Sequence, residues 1–119
     1  MTAPNIVEVA TITGKTAVQL IGTSATAIVS NSAASGKVFK INTILVSNID
    51  GTNSADVTVD YYNGSTGFKI ANTIAVPADS TLVLTDKNNV LYLEENTKIR
   101  GGASAASDLE IIISYEEIS

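Results

Sequence analysis

The chain has 119 residues, 45% of them hydrophobic and 16% charged, and a formal charge of −5 from 12 acidic and 7 basic side chains. That length supports one domain with a modest core, and the basic residues form no run of the kind that tracks a phosphate backbone, so nucleic acid is not an expected partner. Cysteine and histidine are absent, which removes disulfides, thiol catalysis, thiolate and imidazole metal ligands and the commonest general base near neutral pH.

So low a charge fraction is unusual for a free-standing soluble surface. Ser, Thr, Ala and Asn cover much of the remainder, and small polar side chains lose little entropy when ordered against a neighbour. The opening MTAPNIVEVA has no basic region followed by a long apolar run, and no apolar stretch is long enough to cross a bilayer. Neither a signal peptide nor a membrane partner is expected.

Met1–Asn5 reads as an extended amino-terminal arm, and residues 6–119 as a single domain. Ile6–Thr13 alternates as a strand, Gly14-Lys15 reads as a turn, and Thr16–Ile21 is a second apolar run. Ala25–Ser30 is a third short candidate, followed by a small-residue loop over 31–36.

The most informative stretch is Lys37–Tyr62. Its first run places Phe39, Ile41, Leu45 and Ile49 on one parity, yet Ile44 and Val46 sit on the other. A half-exposed strand would leave that second pair in water, so it is expected under another segment or against a partner. In the second run Ala55, Val57, Val59 and Tyr61 alternate with Asp56, Thr58, Asp60 and Tyr62, the period of a half-buried strand with an acidic solvent face. Asp50–Ser54 is a short turn-rich loop, which predicts that the two runs are antiparallel neighbours.

Asn63-Gly64 then marks a tight hairpin turn, because both residues tolerate positive φ. Thr66–Val76 is the next strand, with Phe68, Ile70, Ile74 and Val76 on one parity and a bend or bulge expected at Asn72. Pro77 breaks the ladder. Short strands follow at Ser80–Thr85, Val90–Leu93 and Thr97–Arg100, and Gly101–Ser107 reads as a flexible loop with Gly101-Gly102 as a hinge. Asp108–Ser119 is a strong terminal strand, with Leu109, Ile111, Ile113 and Tyr115 on one parity, expected inside a sheet. Many short strands and no helix-sized amphipathic segment predict an all-β fold. The expected form is a compact antiparallel β-sandwich, with a jelly roll as one version of it and a closed barrel as the runner-up. The tripeptide VSN recurs at Val29–Asn31 and Val46–Asn48, too short to define a repeat.

No constellation for catalysis emerges. Asp56 and Asp60 would stand roughly 13 Å apart on an extended strand, wider than glycosidase carboxylate pairs. Asp50-Gly51-Thr52-Asn53 lacks the acidic spacing and terminal Glu of a calcium loop and reads as a turn. Gly14-Lys15-Thr16 lacks the upstream glycine and following helix of a phosphate loop, and Asn63-Gly64-Ser65 is better explained by the turn than as a glycosylation acceptor. No catalytic, cofactor-binding or metal-ligating residue is assigned, no cofactor is expected, and the chain is read as a non-enzyme. Tyr62 and Tyr92 are the aromatic candidates for a protein or sugar contact.

The chain resembles small virion structural proteins of tailed bacteriophages, marine and cyanobacterial ones in particular. The resemblance runs through KINTILVSNIDGTNSADVTVDYY at Lys40–Tyr62, IANTIAVPADSTLVL at Ile70–Leu84 and LYLEENTKIRGGASAASDLEIIISYEEIS at Leu91–Ser119. It implies a capsid decoration or cement protein that binds the outside of the head lattice, made in the host cytoplasm and carried on the virion. Its partners would be the major capsid protein or other virion structural proteins, and copies of itself, a trimer being one such form. The contact residues would be drawn from Thr2, Ala3, Pro4 and Asn5 in the arm, together with Ile44, Val46, Tyr62 and Tyr92. The alternatives are a tail, neck or fibre-associated module and, outside the virion, a carbohydrate-binding β-sandwich.

Overall fold

The computed structural model describes residues 11–119. The arm Met1–Asn5 and most of the strand expected at Ile6–Thr13 lie outside them. Period-two alternation carries the described chain into nine strands: β1 (Ile12–Leu20), β2 (Thr26–Asn31), β3 (Val38–Asn48), β4 (Ala55–Tyr62), β5 (Gly67–Val76), β6 (Thr81–Thr85), β7 (Leu91–Leu93), β8 (Thr97–Ala103) and β9 (Leu109–Ile118).

They form two antiparallel sheets. One has the order β1-β9-β3-β6, with short β7 also pairing β3; the other has the order β2-β8-β4-β5. With β7 set aside, the first sheet holds the first, eighth, third and sixth strands, and the second holds the second, seventh, fourth and fifth. That interleaving of two Greek keys is a jelly roll. The inner faces meet over Ile41, Ile44, Val46, Val57, Val59, Ile99, Leu109, Ile111 and Ile113, all fully buried. As expected, the carboxyl-terminal strand lies inside its sheet, between β1 and β3.

Four features depart from the sequence expectation, each for an identifiable reason. First, β3 and β4 are not neighbours. Both sides of β3 are taken by β9 and by β6 and β7, so the chain crosses to the other sheet over 49–54. Second, a bulge between Ile41 and Thr43 adds one residue to β3 and reverses its facing. Phe39 and Ile41 point inward before it, and Ile44 and Val46 point inward after it. Leu45 and Ile49, expected in the core, are thereby turned out.

Third, Gly14-Lys15 is no turn. Gly14 pairs with Glu116 and Lys15 with Tyr115, so β1 runs straight through. Gly101-Gly102 is likewise strand rather than hinge, paired with Val59 and Thr58. Long-range pairing has overridden local turn preference in both places. Fourth, β5 carries irregularities on both sides of Ala71, so Phe68 and Ile74 face solvent while Ala71 and Val76 are buried. The bulge expected at Asn72 lies there: Thr73 has φ 48° and donates its N–H to Thr58 Oγ1 at 3.0 Å.

The two VSN tripeptides do the same work at opposite ends of the sandwich. Each ends a strand on a buried asparagine. Asn31 Nδ2 donates to the carbonyls of Lys37 (2.9 Å) and Leu93 (3.0 Å), and its Oδ1 accepts from Ser35 Oγ. Asn48 Nδ2 donates to the carbonyls of Asn53 (3.0 Å) and Val76 (2.8 Å), and its Oδ1 accepts from Asp50 N–H at 2.8 Å. Crossing loops expose backbone groups that no ladder pairs, and a side-chain amide supplies donor and acceptor together.

Candidate interaction surface

The outer face of β4 holds the most structured polar group. Asp60 was expected in water, but only 2% of it is exposed. Register explains why: Arg100 of β8 lies directly across from it on one side and Lys69 of β5 on the other. Arg100 Nε donates to Asp60 Oδ1 at 2.9 Å and Nη2 to Oδ2 at 2.6 Å, a bidentate pair; Lys69 Nζ stands 3.6 Å from Oδ2. Gly67 makes the room. A Cβ there would come within 2.5 Å of both Arg100 Nη2 and Asp60 Oδ2. The guanidinium carbon also lies 4.3 Å above the Tyr62 ring centroid, with Lys98 Nζ at 5.4 Å.

Hydrogen bonding from Arg100 holds the Asp60 carboxyl below its ordinary range against the opposing effect of burial, and raises Arg100 in turn. Both carboxylate oxygens are engaged, so this ion pair fixes β4, β5 and β8 to one another. A shallow cavity of about 230 Å³ beside it is lined by Asp56, Thr58, Lys69, Thr73 and Ser104 among others. A second cluster closes the opposite sheet's margin, where Glu117 takes Lys15 at 3.0 Å and Lys37 at 3.1 Å. Burial pushes the Glu117 carboxyl up, but hydrogen bonds from the two lysines prevail and hold it below its ordinary range.

The Asp50 loop is a turn. Asp50 Oδ1 accepts the N–H groups of Thr52 (2.8 Å) and Asn53 (3.3 Å). Those bonds hold the Asp50 carboxyl below its ordinary range. Among the described residues, no group of three or more His, Cys, Asp or Glu side chains is placed to hold a metal ion, and no helix is long and apolar enough to cross a membrane.

The expected contact residues do not come together. Thr2, Ala3, Pro4 and Asn5 lie outside the described residues. Ile44 and Val46 are 0% exposed between the sheets, so the chain's own core, not a partner, covers them. Tyr62 has a ring face occupied by Arg100, and Tyr92 stands 42% exposed on the other sheet. The two tyrosines therefore belong to different faces and make no shared aromatic platform.

No family model matches the sequence, and no curated protein matches it. Among solved structures, a protein of Bacillus endospore appendages, described as a novel family of disulfide-linked pili, matches with a TM-score of 0.53 and 17% identity over 92% of this chain and 88% of that one. A pentameric capsid protein from metagenomic phage sequences matches with a TM-score of 0.42 and 12% identity, over 87% of this chain and 60% of that one. The likeness to the appendage protein shows a shared fold. The disulfide links named for those pili have no counterpart in this cysteine-free sequence.

Sequence reasoning missed two things here. The Asp60–Arg100 pair needed the β4–β8 register, which nothing local encodes. Leu45, Val83 and Ile112 lie on outward-facing positions of the five-stranded sheet; Val83 and Ile112 are apolar residues on the polar parity of their strands, whereas Leu45 lies on the apolar parity and is turned out by the bulge in β3.

Proposed function

We propose that this chain is a non-enzymatic structural subunit of an assembled appendage, a tail, neck or fibre-type module of a phage particle. The observation that carries this reading is the jelly roll itself, which the appendage protein shares over nearly the full length of both chains. The polar chemistry is consistent with a scaffold. Asp60 and Glu117 are each engaged by two cationic side chains, and Asn31 and Asn48 are spent on backbone carbonyls. A surface of low charge and small polar side chains suits repeated packing against neighbours. Its partners are then copies of itself and other structural proteins of the same particle, and its place is the outside of that particle.

Cryo-electron microscopy of purified particles, with antibody labelling of the chain, tests the reading. Density and label on the tail, neck or fibres support it. Density on the head lattice would move the chain to a decoration role, and absence from every particle would overturn the structural reading.

A further inference from the structure

The outer face of the five-stranded sheet carries an apolar row at right angles to its strands. Val18 of β1 pairs with Ile112 of β9, Ile112 with Leu45 of β3, and Leu45 with Val83 of β6. Val18 is 69% exposed and Val83 56%, while Ile112 and Leu45 between them are half-buried. Leu20 and Tyr92 extend the same face and are also exposed. Four aliphatic side chains in register across a sheet are an unusual surface for a domain that has a complete core of its own.

The margins of that row differ in charge. Toward one end of the strands lie Glu110, two residues from Ile112 along β9, and Asp108, two residues further. Neither has a lysine or arginine within salt-bridge distance among the described residues. Toward the other end, Lys40 and Lys87 line a groove of about 690 Å³ with Asn42, Ser114 and Glu116, while the Lys15 side chain is held by Glu117. Lys40 and Lys87, neither within salt-bridge distance of a carboxylate among the described residues, thus border one side of the row beside Glu116, and unpaired carboxylates border the other.

We propose that this face binds a second copy of the same chain, across a two-fold axis running along the apolar row. Such an axis reverses the strand direction of the partner and lays row on row. It also sets the Asp108 and Glu110 margin of each copy against the lysine groove of the other, twice over. A two-fold axis parallel to the strands would instead place like charges together. Charge complementarity therefore selects both the occupant and its orientation. Stacked sheets pack about 10 Å apart, within reach of extended lysine side chains from either margin. Four strands and five alternating positions give a face of roughly 15 by 25 Å, or roughly 750 Å² over both copies, below the range of stable interfaces, so the dimer is weak and concentration-dependent. It is a property of the isolated chain and does not depend on which particle the chain serves.

Sedimentation equilibrium of the full chain tests this. The wild type is expected to dimerise at micromolar to millimolar concentration, with Kd rising about tenfold between 0.05 and 0.5 M salt. Val83→Glu is expected to be monomeric with an unchanged far-ultraviolet circular dichroism spectrum. Lys40→Glu with Lys87→Glu, and separately Asp108→Lys with Glu110→Lys, are each expected to be monomeric. Mixed in equal amounts, those two variants are expected to regain a dimer, because every charge contact across the axis is restored in the hybrid. A wild type monomeric at millimolar concentration, a dimer that survives Val83→Glu, or variants that fail to reassociate on mixing would each overturn the proposal.

Discussion

On the outer face of the four-stranded sheet, Asp60, Arg100, Lys69 and Tyr62 satisfy one another, whereas on the five-stranded sheet Val18 and Val83 stay exposed beside half-buried Ile112 and Leu45. The two faces are built on the same strand period and belong to one core. The difference lies in what cross-strand register sets side by side. In the first case it juxtaposes opposite charges, so the face is finished within the chain. In the second it juxtaposes aliphatic groups, whose transfer from water is worth roughly 25 cal/mol for each Å² covered. A finished face stabilises the monomer; an unfinished one is left open for the proposed contact between copies.

The largest expected effect breaks the core that both sheets share. Ile44→Ala, between the sheets, is expected to cost about 2–5 kcal/mol in denaturant unfolding, while Leu45→Ala next to it on the outer face costs less than about 1.5 kcal/mol in the monomer. Equal losses would show that the bulge near Asn42 does not set the facing of β3.

Next in size is the ion pair. Arg100→Ala removes the bidentate partner of a buried carboxylate and is expected to cost about 2–3 kcal/mol, with Arg100→Lys recovering only part because lysine cannot form the fork. The sign of the pH dependence follows from Asp60. Its folded carboxyl titrates below its ordinary value, so its contribution is complete above the unfolded value and is lost as pH falls through the folded one. Wild-type stability should therefore drop below about pH 4, and Asp60→Asn should flatten that drop in an acid titration of Tm.

Gly67→Ala probes the same pair by shape. Its methyl group would lie 2.5 Å from both Arg100 and Asp60, so a loss of about 1–2 kcal/mol is expected, smaller in an Arg100→Ala background. The smallest effect sharpens the comparison from the other side. Val83→Ser, on the open face, should change the unfolding free energy of dilute monomer by no more than about 0.5 kcal/mol. A large loss there would mean the row belongs to the folded monomer rather than to a contact.

Much of the fold could be read from the chain. The alternation of Ala55–Tyr62 and Leu109–Tyr115, the turn at Asn63-Gly64 and the irregularity near Asn72 are local signals, and local signals survive folding. Asn63 shows how directly: its Oδ1 accepts the N–H groups of Ser65 (3.1 Å) and Thr66 (2.8 Å) while Gly64 takes φ 100°. The surface chemistry was much less legible. Asp60 looked like a solvent residue because only register brings Arg100 to it, forty positions away in sequence. Ile44 and Val46 looked like contact residues because a single added residue in β3 reverses the parity by which they were judged.

By itself, the sequence determined the all-β class, the positions of most strands and the need to cover Ile44 and Val46, because these depend on side-chain period and turn chemistry within a few residues. Only the tertiary structure decided that β3 and β4 part into different sheets, that Gly14 and Gly101 lie in strands, and which outer face is closed and which is open. Those outcomes depend on pairing between segments far apart in the chain. The hydrogen bonds that fix such pairing are between backbone groups, which every residue but proline carries alike.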